Sequence, residues 1–411
     1  MLNRITASTF KNAKNVMIIK GGMRSYSTGT KEDDSSLIIS MEQLKKHHDF
    51  VNKPTRIFSG MQPTNGGLHI GNYSGAMLNW IELQNSIARN EAKIAKDGGG
   101  AGEDSSSSLL FSIVDLHSLT NKAVQPASLR KNTVDVAIEY VACGIDPDKV
   151  VLFNQSQVPA HCELSWILSC HTALGRLENM IQFKEKSKKN TDSAVQSTYG
   201  LLAYPILMAA DILLYRATHV PVGEDQTQHV ELTRKIAHAF NAHYKTDYFP
   251  LPQIVSTSES KRIMSLQNAA SKMSKSDVSE NSRINLTDSN ETIAKKISKA
   301  ATDSTIGITY DTVTRPNIAN LLAIASAMMP STQPLSPADI ASQFTNAKHS
   351  EFKSFLTQTI TNHLAPIREK IEYHQANPKY IKEILQKGSH RARSIANRNL
   401  TDIKNIIGLY E

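Results

Sequence analysis

Arg56-Ile57-Phe58-Ser59-Gly60-Met61-Gln62-Pro63-Thr64-Asn65-Gly66-Gly67-Leu68-His69-Ile70-Gly71-Asn72 runs from a short apolar stretch through a turn toward a helix. Arg56–Gly60 reads as a strand, Gln62–Gly67 as a turn rich in Pro, Asn and Gly, and about Asn72–Ser86 as the helix that follows. Two further apolar runs, Leu109–Val114 and Val150–Asn154, flank a helical stretch at Pro126–Cys143. Continuous apolar runs of this length suit strands buried on both faces. Strand, helix, strand, helix, strand in that order predicts an α/β fold with a doubly wound parallel sheet. From about Asn317 to Glu411 the pattern is helical with no strand signal, which predicts a helical C-terminal domain over 301–411 behind an α/β domain over 53–300.

The 411 residues suffice for a sizeable core, and 40% hydrophobic with 20% charged residues is an ordinary globular balance. Cys143, Cys162 and Cys170 are too few for a disulfide framework. His161-Cys162 and Cys170-His171 lack the usual spacing of zinc ligands, so no metal site is expected. The most apolar window, 200–215, is shorter than a spanning helix and contains Pro205 and Asp211, so no membrane insertion is expected. The formal charge of +8 has a local origin. The first thirty residues carry Arg4, Lys11, Lys14, Lys20 and Arg24 with no acid. That composition, with scattered hydroxyls and no long apolar core, fits a mitochondrial transit peptide over 1–26, with cleavage near Tyr26. Thr28–Ser36 is polar, Leu37–Val51 is expected to form one short helix within a linker over 27–52, and folded structure is expected from near Lys53. The segment Lys96–Ser108, rich in Gly, Ser and acids, reads as a surface loop inserted between strands.

Two constellations carry chemistry. His69-Ile70-Gly71-Asn72 stands at a helix head, where backbone N–H groups are expected to be unpaired and to face an anion. A histidine there is equally the mark of a satisfied or exposed side chain. About 200 residues downstream, Ala270-Ser271-Lys272-Met273-Ser274-Lys275-Ser276-Asp277 offers two lysines three apart among small hydroxyl residues. Such a loop suits a polyphosphate clamp, and a solvated basic loop has the same composition.

Together these segments resemble the two signatures of the class I aminoacyl-tRNA synthetases. The resemblance narrows to tryptophanyl-tRNA synthetases through Phe58–Thr64, the segment Tyr204–Tyr215 and Val220–Gln226, and it extends over roughly 55–411. It implies a Rossmann-type catalytic domain and a reaction in which tryptophan is activated by ATP, with Mg2+ shared by the phosphates and no tightly bound cofactor, then passed to tRNA(Trp). It also implies a homodimer, and with the leader it places the protein in the mitochondrial matrix. By resemblance Gln62, Thr64, Gly71, Asn72, Gly223, Glu224, Asp225, Ile263 and Lys272-Met273-Ser274-Lys275-Ser276 line the ATP site. His69, Asn72, Lys272 and Lys275 act on the phosphates. Phe58, Gln62, Tyr204, Met208, Asp211, Val220, Val222 and Gln226 receive tryptophan.

The amino acid also has a physical reading. Pro205 suits a helix start, and Tyr204, Met208 and Asp211 at i, i+4 and i+7 share one helix face. A carboxylate on an apolar stretch needs a donor when buried, and an indole N–H is a donor only. A thioether at Met208 is a poor partner for a phenol hydroxyl, which favours tryptophan over tyrosine. A tyrosine-activating relative and a catalytically silent RNA-binding relative remain the alternatives. The run Phe183–Lys189 fits either a phosphate contact through Lys184 or a charged helix end. Lys379, Lys382, Lys387, Arg391, Arg393, Arg398 and Lys404 fit either an anticodon-binding surface or a solvated helix face.

Overall fold

The computed structural model describes residues 37–41, 43–44, 55–63, 67–96, 108–121, 124–189, 198–256, 263–275, 277–330 and 332–410. The expected transit peptide, most of the linker, and 97–107 of the expected loop lie outside them. Leu37–Glu411 form one compact unit.

Among the described residues, six strands form a single parallel sheet: β1 Ile38–Ser40, β2 Ile57–Met61, β3 Leu109–Ile113, β4 Val151–Asn154, β5 His219–Val222 and β6 Gln253–Ser256, in spatial order β1-β6-β5-β2-β3-β4. The helices are α1 Ile70–Asn72, α2 Leu78–Lys96, α3 Asp115–Ser118, α4 Pro126–Cys143, α5 Ala160–Ser169, α6 Leu174–Glu178, α7 Ile181–Lys189 and α8 Tyr199–Leu213. They continue with α9 Thr227–Tyr244, α10 Asn290–Ser298, α11 Pro316–Met328, α12 Pro337–Gln343, α13 His349–Ala376 and α14 Pro378–Ile407. The expected α/β class with a helical C-terminal region is therefore what the chain adopts. Helix α4 forms where the pattern places it, because Pro126 fits the first turn and Gly144 takes a left-handed φ of 115° past the end.

Three elements differ from expectation. Ile38–Ser40 is not helical: it pairs with β6 in register Ile38↔Ile254, so the sheet begins upstream of residue 53. Three residues are too short a run to show a strand periodicity. The helix expected from Asn72 opens as one α turn and a π turn, Tyr73–Met77, before α2. Pro205 does not start a helix. Helix α8 begins at Tyr199, where the Thr198 hydroxyl accepts from Leu201 N, and Pro205 sits inside it.

The strands divide two cores with a period of two. Ile57, Leu109, Phe111, Ile113, Leu152 and Val255 face one, with α2, α4, α11 and α13. Phe58, Leu110, Val151, Phe153, Val220 and Ile254 face the other, with α5, α8 and α9. Each fully buried Leu, Ile or Phe side chain contributes roughly 1.5–3 kcal/mol. Helix α14 belongs to both: Ile381, Ile384 and Leu385 enter the first core, and Ala392, Ile395, Ala396, Leu400 and Ile403 the second. It crosses the edge strand β4 at Gly388, where a Cβ would collide with the Leu152 carbonyl.

On α4, the buried Glu139 supports the turn that leads to α1. Its Oε2 accepts from Leu68 N at 2.8 Å, and Gly67, at φ 63°, leaves the space that a Cβ would contest with Oε1. Burial pushes the Glu139 carboxyl up to about 7, against the opposing charge of Lys275. A raised carboxyl favours the fold when protonated, so this contribution is full below the ordinary value near 4.5 and is lost as pH rises through 7. Glu139→Gln keeps an acceptor for Leu68 without titrating. Thermal unfolding is expected to show no difference from the parent at pH 4 and a variant more stable by on the order of 2 kcal/mol at pH 8.

Candidate functional site

In the sheet order, β3 and β4 lie on one side of β2 and β5, β6 and β1 on the other, so the topology switches between β2 and β5. Their pairing is confined to Ile57↔His219. Pro221, which has no N–H to offer, follows in β5. Beyond that pair the two strands part, and a cavity of about 1020 Å³ opens at their C-terminal ends, where open α/β sheets place ligands.

All eight residues expected to receive tryptophan line this cavity: Phe58 and Gln62 from β2 and its end, Tyr204, Met208 and Asp211 from α8, Val220 and Val222 from β5, and Gln226 beyond it. The helical spacing of Tyr204, Met208 and Asp211 puts them on one wall. Three residues expected at ATP, Gln62, Glu224 and Asp225, line it as well. Gly223 adjoins them, and a Cβ there would stand 2.9 Å from Asp225 Oδ1.

Asp211 is only 1% exposed, and the protein supplies its donors. Oδ1 accepts from Gln155 Nε2 at 2.7 Å and His161 Nδ1 at 2.6 Å; Oδ2 accepts from His117 Nε2 at 2.8 Å. The Tyr215 hydroxyl lies 2.8 Å from His161 Nε2. Burial works to raise the Asp211 carboxyl, and the hydrogen bonds and charges of the two histidines outweigh it, holding it at about 2. The donors that a buried carboxylate needs are thus supplied in part by the protein itself. His117, Gln155 and His161 cannot be joined to Asp211 from the sequence because they lie 94, 56 and 50 residues from it on other elements, with no spacing rule to connect them. The Tyr204 hydroxyl donates to Gln182 Oε1 at 3.0 Å and lies 2.8 Å from His229 Nε2.

The two signature segments meet, although 200 residues separate them. Ile70 N donates to Ile284 O and Leu286 N to Leu68 O, while Met273 Cβ stands 3.5 Å from where a Gly71 Cβ would be. Met273 N donates to Ile263 O, which draws Ile263 into the same group. The amides expected to face an anion are already engaged: His69 Nδ1 accepts from Gly71 N at 3.1 Å and Asn72 N at 3.3 Å, and Asn72 Oδ1 accepts from His69 N at 3.3 Å. This is a reciprocal cap. Burial, then the charges of Lys275, Arg283 and Lys272, push His69 down to about 3. The ring is neutral at pH 7, and with Nδ1 accepting, its proton is on Nε2. Burial likewise lowers the Lys275 ammonium, opposed by Glu139. Lys272 is exposed and Ser274 half-buried. Thr64 and Ser276 lie outside the described residues.

Lys184 is exposed and donates to Asn179 Oδ1 at 2.8 Å. Several of the C-terminal cations have a third use besides the two considered from sequence, as clamps on the sheet. Lys387 pairs with Asp148, Arg391 donates to Val150 O, Arg393 to Gln157 O, and Lys404 pairs with Glu163.

The chain matches the family described as tRNA synthetases class I (W and Y) over residues 51–365. It is 54% identical over 367 residues to the mitochondrial tryptophan–tRNA ligase of Dictyostelium discoideum, covering 86% of this chain and 96% of that protein. It is 41% identical to the tryptophan–tRNA ligase of Nostoc sp., covering 86% and 97%. Among solved structures, the tryptophanyl-tRNA synthetase of Mycoplasma pneumoniae matches with a TM-score of 0.73 at 34% identity, over 87% of this chain and 98% of that one. The Campylobacter jejuni synthetase, in complex with ADP and tryptophan, matches with a TM-score of 0.69 at 31% identity, over 86% and 100%. The chain belongs to the tryptophan and tyrosine group of the class I tRNA synthetases, on the tryptophanyl side.

Proposed function

We propose that this protein is a tryptophan–tRNA ligase of mitochondria, acting through a tryptophanyl-adenylate. The observation that carries the reading is the cavity at the β2/β5 switch. Its walls include Phe58, Met208, Val220 and Val222, and its polar anchor is Asp211, whose Oδ2 accepts, among the described residues, from His117 and keeps a lone pair for an indole N–H. The Dictyostelium relative supports both the amino acid and the compartment, and the acid-free basic leader supports import to the matrix.

A tryptophan carboxylate oxygen attacks the α-phosphorus of ATP, the bond to the bridging oxygen breaks, and pyrophosphate leaves with its Mg2+. The attacking carboxylate is already ionised at neutral pH, so no general base is needed. Lys272 and Lys275 stabilise charge moving onto pyrophosphate. His69, neutral, donates from Nε2 to a phosphate oxygen while its Nδ1 fixes the turn. A hydroxyl of the terminal adenosine of tRNA(Trp) then attacks the activated carbonyl and AMP departs. Exposed Trp166, Leu174, Ile181 and Tyr199, on four helices adjacent in the chain, support a homodimer face. At the α13–α14 junction, exposed Tyr373 and Tyr380, with the His374 and Tyr380 rings stacked at 5.6 Å beside Lys379 and Lys382, support contact with unstacked anticodon bases.

The deciding experiment is amino-acid-dependent ATP–pyrophosphate exchange. Exchange with tryptophan and none with tyrosine is expected; exchange with tyrosine would reassign the pocket, and none with either would leave an RNA-binding relative. For Asp211→Asn, exchange is expected to need at least about tenfold more tryptophan, with roughly 1–3 kcal/mol lost from stability because the buried donors lose their anion. For Lys275→Ala, adenylate formation is expected to slow by about 10²–10³ with tryptophan affinity nearly unchanged; a loss confined to tryptophan affinity would contradict the leaving-group role.

A further inference from the structure

Two cavities follow one another along a single face of α9. Thr227, Gln228 and Glu231 line the amino-acid cavity, and Arg234, Lys235 and His238 line a second one, of about 300 Å³. Steps of three and four residues join these positions into one stripe. From Glu231 to His238 the helix rises roughly 10 Å.

The second cavity is cationic. Its remaining walls are Arg176 of α6, Ala239 and Leu251. The Arg234 guanidinium is held against the wall by donating to Leu251 O at 3.1 Å and Pro252 O at 3.0 Å, bonds that fix its position without neutralising its charge. Arg176, Lys235 and His238 are exposed. Among the described residues no carboxylate lines this cavity, and cations gathered there from two helices repel one another and are relieved by an anion. A shallow cavity whose donors are on long exposed side chains suits a polymer backbone running across it better than a small enclosed anion. An RNA that delivers its 3′ end to the neighbouring cavity along α9 would bring phosphates within reach of this stripe.

We propose that Arg176, Arg234, Lys235 and His238 form a contact site for the phosphodiester backbone of the tRNA, an inference that rests on the ligase reading. Phosphate contacts of this kind position the RNA without reading its sequence. Each one also steepens the loss of affinity with salt.

The test compares the full chain with Arg176→Glu/Lys235→Glu, using a tRNA(Trp) transcript. The expected result is a rise of at least about tenfold in both the tRNA Kd and the KM for tRNA, and a salt dependence of log K shallower by about one to two. Tryptophan-dependent pyrophosphate exchange, which involves no tRNA, should be retained. The neutral pair Arg176→Gln/Lys235→Gln should give a smaller loss in the same direction and stands in if charge reversal lowers the melting temperature. Unchanged tRNA affinity and salt slope would overturn the proposal. So would an effect seen only in competition by inorganic phosphate, which would mark a small-anion site. If the parent fails the exchange assay the ligase reading falls, yet the Kd comparison still decides whether the cavity binds RNA.

Discussion

A buried carboxylate without donors costs several kcal/mol, and Asp211 meets that constraint by drawing on elements that are otherwise unconnected. His117 stands in α3, just after β3; Gln155 and His161 follow β4; Asp211 itself is on α8. The group thus fixes two loops at the C-terminal edge of the sheet to the helix that walls the cavity, and Tyr215 fixes His161 in turn. The same bonds that make burial tolerable aim the carboxylate, because they occupy three of its acceptor directions. Specificity in such a pocket follows from the cost of leaving a buried acceptor unpaired rather than from shape alone.

The backbone prepares the opening that Asp211 anchors. Parallel strands bring all their C-terminal ends to one edge, and the departure of β5 from β2 after a single paired position makes room between them. Pro221 lies where the ladder has stopped on that side, while Pro221↔Val255 continues the pairing with β6 on the other. The turn from Gly67 to Asn72 is stiffened differently. It is capped by its own histidine and supported from below by Glu139, so its geometry does not wait for a ligand.

Strands β2, β3 and β4 and helix α4 are legible in the sequence because each combines a run of apolar residues with a clear stop. Strand β1 was misread as helix, and a proline in four-residue β5 argues locally against a strand that only tertiary context can stabilise. The eight residues expected from motif resemblance to receive tryptophan are gathered by the structure around one cavity. What stayed hidden was the set of polar partners. Pairing of Asp211 with His117, His161 and Gln155 depends on which loops the sheet brings together. Likewise, the His69 ring reads as an exposed ligand group until its own amides are seen to claim Nδ1.

Helix α14 crosses the edge of β4 and contributes side chains to both cores. A chain that emerges from its amino end therefore holds two incomplete cores and an open strand edge until its final helix arrives. Open edges of this kind invite pairing with other strands, so the interval between the exit of β4 and that of α14 is the vulnerable period in the life of the polypeptide.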